Sequence, residues 1–345
     1  PGFQDQVSEW TLLLAQFILK PRLKLETDNA WRAILVGAAL QKWYLKSLLA
    51  VAEPLLSNLP PYIMGYRAGY QTAMLVEPLR IALLLAREWS LPIAVGATDV
   101  DAAFESMPHS EMVSGWCALG APPLLTARFY REMLEVEAQV VICGETSGSS
   151  NAHLLGGGRP GDAATPTHWN VTIWYIVHKL VQSWVNRGFG FRFRGSVLLF
   201  LAWADDFTFV ASSIWQLRTM LTEFADLLNE CGLECKATKS NWFANTAAWD
   251  ELRDPQFRMR VPVSSICSGR LGTSCSGAGH VRAATFLEFQ LCSELIVVGS
   301  CLTVDADTDA AIDFALARAR GLWMQSKTAL CRKRVPISKR VGNYY

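Results

Sequence analysis

Two groups of carboxylates stand where strands are expected to end. Residues 198–210 set two apolar, β-prone runs on either side of Asp205 and Asp206, which predicts a hairpin with both acids at its tip. A solvated β-turn would use the same residues, because Asp is a common turn former. Upstream, the apolar stretch 93–95 delivers Asp99 at its C-terminal end, and Phe104 and Glu105 follow at the start of an expected helix. Strands laid side by side in one sheet would bring Asp99 and Asp205 together. Carboxylates so placed can share two divalent ions about 4 Å apart, the arrangement of two-metal phosphoryl transfer. Mg²⁺ suits it, since that ion takes few carboxylates, keeps waters and completes its shell with phosphates; Mn²⁺ is the alternative occupant. The competing reading of Asp99 is a helix cap for a helix beginning near Val100.

The elements that would hold these acids follow from apolar spacing. Residues 9–19 read as an apolar helix or strand and 30–36 as an extended segment entering the core. Residues 38–56 repeat apolar side chains at helical spacing, and Pro60-Pro61 breaks the chain. A helix is expected over 72–88 with an interruption near Pro78, then a strand over 92–99. Further helices are expected over 110–119, 122–134 and 167–184, and a strand over 136–143. Ser212 or Ser213 should cap a helix that Gly232 ends. Residues 244–280 look irregular and 286–298 like strand pairs. A helix over 307–328 should pack the face carrying Ile312, Leu316, Ala319 and Trp323.

Composition narrows the classes. With 345 residues, of which 51% are hydrophobic, the chain can build a sizeable core. A formal charge of +1 gives no global attraction to nucleic acid, so any such binding would use local patches. These are Arg187, Arg192 and Arg194, and a tail with Lys327, Arg332, Lys333, Arg334, Lys339 and Arg340. Nine scattered cysteines suggest reduced thiols and an intracellular protein. Cys267, Cys275 and His280 fit no standard zinc spacing. No apolar run is long enough to span a bilayer, and the Asn170-Val171-Thr172 sequon sits in an apolar segment. The Gly156–Gly158 run is not followed by Gly-Lys-Ser/Thr, which argues against a P-loop. The chain reads as a segment of a longer protein.

Asp99-x4-Phe104-Glu105, then Gly158-Arg159-Pro160-Gly161-Asp162-x3-Pro166, then Ala204-Asp205-Asp206 resembles the ordered motif set of reverse transcriptases. It is closest to the non-LTR (LINE-like) retrotransposon type. Lys20-Pro21 with Ala30-Trp31-Arg32-Ala33-Ile34, Gly65-Tyr66-Arg67-x-Gly69, Gly232-Leu233-x5-Lys239 and Val298-Gly299-Ser300 fall in the family's order as well. An unrelated palm-like enzyme such as a nucleotide cyclase would share the hairpin acids but leaves the Arg-Pro-Gly-Asp segment unexplained.

The resemblance implies an α+β right-hand polymerase fold: fingers over 1–95, a palm with a small antiparallel sheet over 96–300 (including an irregular 244–285 insertion), and the start of a thumb over 301–345. It implies an RNA-directed DNA polymerase using two Mg²⁺ ions, an RNA template, a DNA primer and dNTPs, with no membrane. An endonuclease domain of the parent element is not expected in this chain. Asp99 and Asp205, with the Val100 backbone carbonyl, would be the metal ligands, and Asp206 would support them. Phe104 would lie under the deoxyribose and exclude a 2′-hydroxyl. Arg159, Gly161 and Asp162 would line the nucleotide pocket, and Lys20, Arg32 and Lys239 would neutralise the triphosphate. Trp203, Gly299, Lys327, Arg332, Lys333 and Arg334 would face nucleic acid. The chain departs from the family at Pro160 (usually Gln), Trp203 (usually Tyr or Phe), Ala102 (usually Lys) and Glu105 (usually Asp). Pro160 lacks both the amide side chain and the backbone donor. An impaired descendant that binds RNA without polymerising is the alternative.

Overall fold

The computed structural model describes residues 12–19, 31–36, 39–134, 137–142, 145–146, 150–151, 156–159, 161–252, 254, 257–263 and 285–330. In chain order the elements are β1 (Leu12–Leu19), β2 (Trp31–Val36), α1 (Ala39–Leu56), α2 (Thr72–Glu88), β3 (Ala94–Asp99), α3 (His109–Ala118), α4 (Pro123–Leu134), β4 (Glu137–Ile142), β5 (Glu145–Thr146) and β6 (Ser150–Asn151). Then come α5 (Thr165–Asn186), β7 (Phe191–Phe193), β8 (Ser196–Leu198), β9 (Phe200–Trp203), β10 (Asp206–Ala211), α6 (Ile214–Glu230), β11 (Asn241–Ala244) and α7 (Thr246–Leu252). The chain continues through β12 (Met259–Val263), β13 (Thr285–Leu291), β14 (Glu294–Val297), β15 (Ser300–Thr303) and α8 (Thr308–Leu330).

The sheet that matters for the site runs β12-β13-β11-β3-β10-β9, antiparallel except between β11 and β13. Its two faces are both covered, and strand alternation sorts the side chains between them. Phe207, Phe209 and Ala211 of β10 join Ala94 of β3 in a core with helices α3, α5 and α6. Val210 and Val95 point the other way, onto Leu75, Leu79 and Leu83 of α2. Asp99 and Asp206 share the phase of Val95 and Val210, so both acids stand at the end of the α2-side face. Gly96 of β3 lies under α6, where an added Cβ would come within 3.2 Å of the Leu217 side chain. Glycine there lets the helix settle onto the central strand.

The local signals worked where a single residue sets the geometry. The Ser213 hydroxyl accepts from the Gln216 N–H at 3.2 Å and caps α6, and Gly232 turns the chain at φ +76°. Several expectations need correction. Helix α2 continues through Pro78 instead of breaking there. The region expected to be irregular contains α7 and β12. Phe104 sits in a turn over 101–106 rather than at a helix start, which also removes the reading of Asp99 as a helix cap. On α8, Ile312 (54%), Leu316 (46%) and Trp323 (51%) remain exposed, so the face expected to pack does not.

A second sheet, β2-β1-β4-β5 with β6 on β4, mixes strands from residues 12–36 and 137–151. A division at residue 95 therefore cuts across it. Cys117, Cys231, Cys235, Cys292 and Cys301 are free thiols. Cys267, Cys275 and His280 lie outside the described residues. Among the described residues, no helix is long and apolar enough to cross a membrane.

Candidate active site

Asp99 ends β3 and Asp206 opens β10, and the antiparallel register sets them directly opposite each other. The Val100 N–H donates to the Asp205 carbonyl at 3.2 Å, one step beyond that pair. Asp99 and Asp206 are thus a non-hydrogen-bonded pair, the kind that brings side chains closest, with Cα atoms about 4.5 Å apart. Asp205 occupies the two-residue turn between β9 and β10, preceded by Ala204 at φ +57°. The backbone N–H and carbonyl of an extended residue face the same way, so the Val100 carbonyl also faces the hairpin.

Lys239 completes the cluster from the other side of β3. After α6 the chain runs beside Asp99, with the Asp101 N–H donating to the Glu234 carbonyl (2.8 Å) and the Lys236 N–H to the Asp99 carbonyl (2.7 Å). A single 3₁₀ turn, Ala237–Lys239, then aims the Lys239 ammonium at the Asp99 Oδ2, 2.5 Å away. Asp99 is 3% exposed, and its buried Oδ1 has no hydrogen-bond partner among the described residues. Burial pushes the Asp99 carboxyl up to about 7; the hydrogen bond from Lys239 opposes this and the neighbouring Asp205 adds to it. Burial, then the Asp205 charge, raises Asp206 as well. Burial works to lower Lys239, but the Asp99 hydrogen bond and the charges of Asp99, Asp206 and Asp205 outweigh it and the ammonium is held. A second pair, Lys236 Nζ to Asp101 Oδ1 at 3.0 Å, sits beside the first. Sequence reasoning missed it, although Lys236 lies in the segment that pointed to Lys239.

Among the described residues, no three His, Cys, Asp or Glu side chains are grouped so that they could hold a metal ion by themselves. The chemistry of the donors nonetheless suits a hard divalent cation completed by water and phosphate: Asp99 of β3 stands opposite Asp206 of β10 beside the Asp205 turn, and one buried Asp99 oxygen has no partner among the described residues. In this arrangement Lys239 supplies the positive charge.

Phe104 is half-buried, edge-on to Trp169 (ring centroids 6.2 Å apart) and tilted against Tyr66 (6.1 Å). The glycine-rich segment lies against the same turn: the Gly157 N–H donates to the Met107 carbonyl at 2.8 Å and the Gly158 N–H to the Phe104 carbonyl at 2.5 Å. Arg159 does not line an open pocket. It is 1% exposed; burial lowers its pKa, while Asp162 and then Glu132 act to keep the charge. Asp162 turns inward too, its Oδ1 accepting from the Ala164 N–H at 3.0 Å, whereas Gly161 is exposed at φ +98°. These placements make Arg159 an enclosed cation with Asp162 and Glu132 as its charged neighbours.

The remaining residues are dispersed. Trp203 pairs with Asp206 across the hairpin and is half-buried. Gly299 tips the β14–β15 hairpin at φ +78°, and its carbonyl accepts from the Arg318 Nη1 of α8 at 3.2 Å. Lys327 is exposed on α8. Arg32 lies on β2 opposite Ile18. Lys20, Pro160, Arg332, Lys333 and Arg334 lie outside the described residues. Asn170 of the sequon is 2% exposed and its amide donates to the Gly65 carbonyl, which leaves no room for a glycan.

Residues 18–287 match the profile of a family described as reverse transcriptase (RNA-dependent DNA polymerase). None of the curated proteins compared with the chain matches it. Similar solved structures include apo telomerase from Candida tropicalis truncated from its C-terminal domain (11% identity, TM-score 0.55, covering 88% of this chain and 56% of that one). The apo telomerase of the same organism aligns at 11% identity and TM-score 0.55, covering 89% and 50%. That telomerase with a TWJ fragment of telomeric RNA aligns at 11% identity and TM-score 0.50, covering 70% and 42%. The chain spans about half the length of these structures, and the likeness is one of fold: α+β, with the antiparallel-rich sheet of a polymerase.

Proposed function

Given that the chain belongs to the reverse transcriptase (RNA-dependent DNA polymerase) family, we propose that it extends a DNA primer on an RNA template by nucleotidyl transfer from dNTPs. The observation that carries this reading is Asp99 set opposite Asp206 beside the Asp205 turn, with Lys239 paired to Asp99 and a buried Asp99 oxygen that has no partner among the described residues. Asp99, Asp205 and the Val100 carbonyl would hold two Mg²⁺ or Mn²⁺ ions, with Asp206 in support. Bound there, the ions supply Lewis acidity that lowers the pKa of the primer 3′-hydroxyl and steadies the triphosphate.

The chain's own groups account for the rest. The Lys239 ammonium can exchange its carboxylate partner for a phosphate oxygen, since its side chain is 54% exposed and reaches solvent. Lys236, paired with Asp101 beside the acids, offers a second cation. The Phe104 ring, braced by Trp169, would lie under the sugar and block a 2′-hydroxyl. Residues 1–95 are proposed as fingers, 96–300 as palm and 301–345 as the start of a thumb, and the fingers would also draw on the 137–151 strands. The motif order favours a retrotransposon of the non-LTR type.

The test is primer extension on an RNA template with dNTPs and Mg²⁺ or Mn²⁺, alongside Asp205→Ala. Extension by the parent chain that the substitution abolishes is the expected result. Extension that persists in Asp205→Ala removes the site assignment. RNA binding without extension would favour the impaired descendant, the reading that Pro160 in the motif favours.

A further inference from the structure

Asp205 sits in a two-residue turn that is also held from outside the hairpin. Ala204 holds φ +57°, a conformation that an L-residue adopts at a cost. Two hydrogen bonds fix the peptide planes on either side of Asp205. The carbonyl of Ala204, in the peptide that leads into Asp205, accepts from the Trp169 indole Nε1–H at 2.8 Å. The carbonyl of Asp205, in the peptide that leads out, accepts from the Val100 N–H at 3.2 Å. The second bond belongs to the sheet ladder. The first comes from helix α5 and has no counterpart in the strand pattern.

The same turn of α5 secures what covers the hairpin. Residues 62–64 run alongside β9, with the Met64 N–H donating to the Ala202 carbonyl (2.9 Å) and the Ala202 N–H to the Tyr62 carbonyl (2.8 Å). Gly65 then passes so close to the turn that an added Cβ would lie 2.4 Å from the Ala204 nitrogen. Its carbonyl is held by the buried Asn170 amide. Trp169, 0% exposed, also meets the Phe104 ring edge-on.

We propose that Trp169 and Asn170 are positioning residues for Asp205: adjacent side chains of α5 that clamp the Ala204–Asp205 turn, one directly and the other through Gly65. The proposal rests on the polymerase reading for its kinetic consequences, but the clamp itself is a statement about the turn. A group that must hold a metal has to be fixed to a fraction of an ångström, and the direction of Asp205 follows the peptide plane that Trp169 pins.

The experiment compares Trp169→Phe, which keeps a ring and removes the donor, with Trp184→Phe. Trp184 is the other fully buried tryptophan of α5 with a satisfied indole N–H, bonded to Glu223 at 2.7 Å and remote from the turn. Hydrogen exchange of the amides of residues 204–206 is measured with primer-extension kcat and dNTP KM. In Trp169→Phe those amides should exchange faster, and kcat should fall roughly ten- to hundredfold, the usual effect of displacing a reacting group by about 1 Å. KM should stay within about twofold of the parent value. Trp184→Phe should lose comparable thermal stability with the turn amides and kcat unchanged. Asn170→Asp, which faces the Gly65 carbonyl with an acceptor, should follow Trp169→Phe. Unchanged exchange at 204–206 in Trp169→Phe, or an equal fall of kcat in Trp184→Phe, overturns the proposal. If the parent chain extends no primer, the polymerase reading fails and the exchange data alone decide the clamp.

Discussion

Acidification should destabilise the fold through one buried imidazole. His168 of α5 is 2% exposed, and its Nδ1 accepts from the Trp116 indole Nε1–H at 3.0 Å. A protonated ring would place a second donor against that indole. Burial, with the nearby His109 adding to it, pushes the His168 pKa down to about 3. Its value in the unfolded chain is about 6.5. Between those values the unfolded chain binds a proton that the folded chain refuses, so stability is complete above about pH 6.5 and falls as pH drops. The slope is about 1.4 kcal/mol per pH unit, so about 2 kcal/mol is lost by pH 5, and any folded pKa below about 4 gives the same figure there. Against a typical domain stability of about 5–15 kcal/mol this is a large fraction. Asp99 works in the opposite direction: with its folded pKa raised to about 7, the folded chain takes up its proton first and gains stability as pH falls. The diagnostic quantity is therefore the difference between the parent chain and His168→Gln, whose amide oxygen can still accept the indole N–H. Urea unfolding at steps from pH 7.5 to 5 measures it. The parent should lose about 2 kcal/mol more than the variant by pH 5. A flat difference curve would show that His168 is not held neutral, and the reasoning from burial would be wrong.

Three other substitutions separate packing from chemistry. Arg159→Leu should destabilise the fold by about 3–5 kcal/mol in denaturant titrations, because it strips Asp162 and Glu132 of a buried cation. A raised dNTP KM with unchanged stability would instead return Arg159 to the nucleotide pocket. Gly65→Ala should cost about 1–3 kcal/mol, since the new methyl meets the Ala204 backbone rather than a movable side chain. Calorimetry checks it, and a cost near zero would mean that the loop moves away freely. Phe104→Val should leave dNTP incorporation largely intact while admitting ribonucleotides, read as the ratio of kcat/KM for dNTP over rNTP; an unchanged ratio removes the ring from sugar selection.

Much of the site was legible because it is written in short-range patterns. Apolar, β-prone runs on both sides of Asp205-Asp206 are enough for a hairpin, and the apolar stretch 93–95 leading to Asp99 is enough for a second strand. A Ser at the N-cap and a Gly past the C-terminus bound α6 for local steric reasons. The pairing that gives those acids their environment is long-range: Lys239 reaches Asp99 across 140 residues, through a register that no window of sequence contains. The Trp169–Ala204 bond spans 35 residues and hides in a helix that reads as uniformly apolar. Arg159 looked like a ligand-facing charge, because a charged residue beside glycines carries no sign of being enclosed. The period of α8 marks an apolar stripe, yet Ile312, Leu316 and Trp323 are exposed.

The two strands that carry the acids, the hairpin at Asp205-Asp206 and the identity of the acids were therefore determined by the sequence alone, since backbone sterics and β-propensity act between near neighbours. Which acid is buried, which cation answers it and which indole holds its turn were decided only by the tertiary structure. Burial and hydrogen-bond partners arise when β3, β10, α5 and the segment after α6 pack together, and those segments are far apart in the chain.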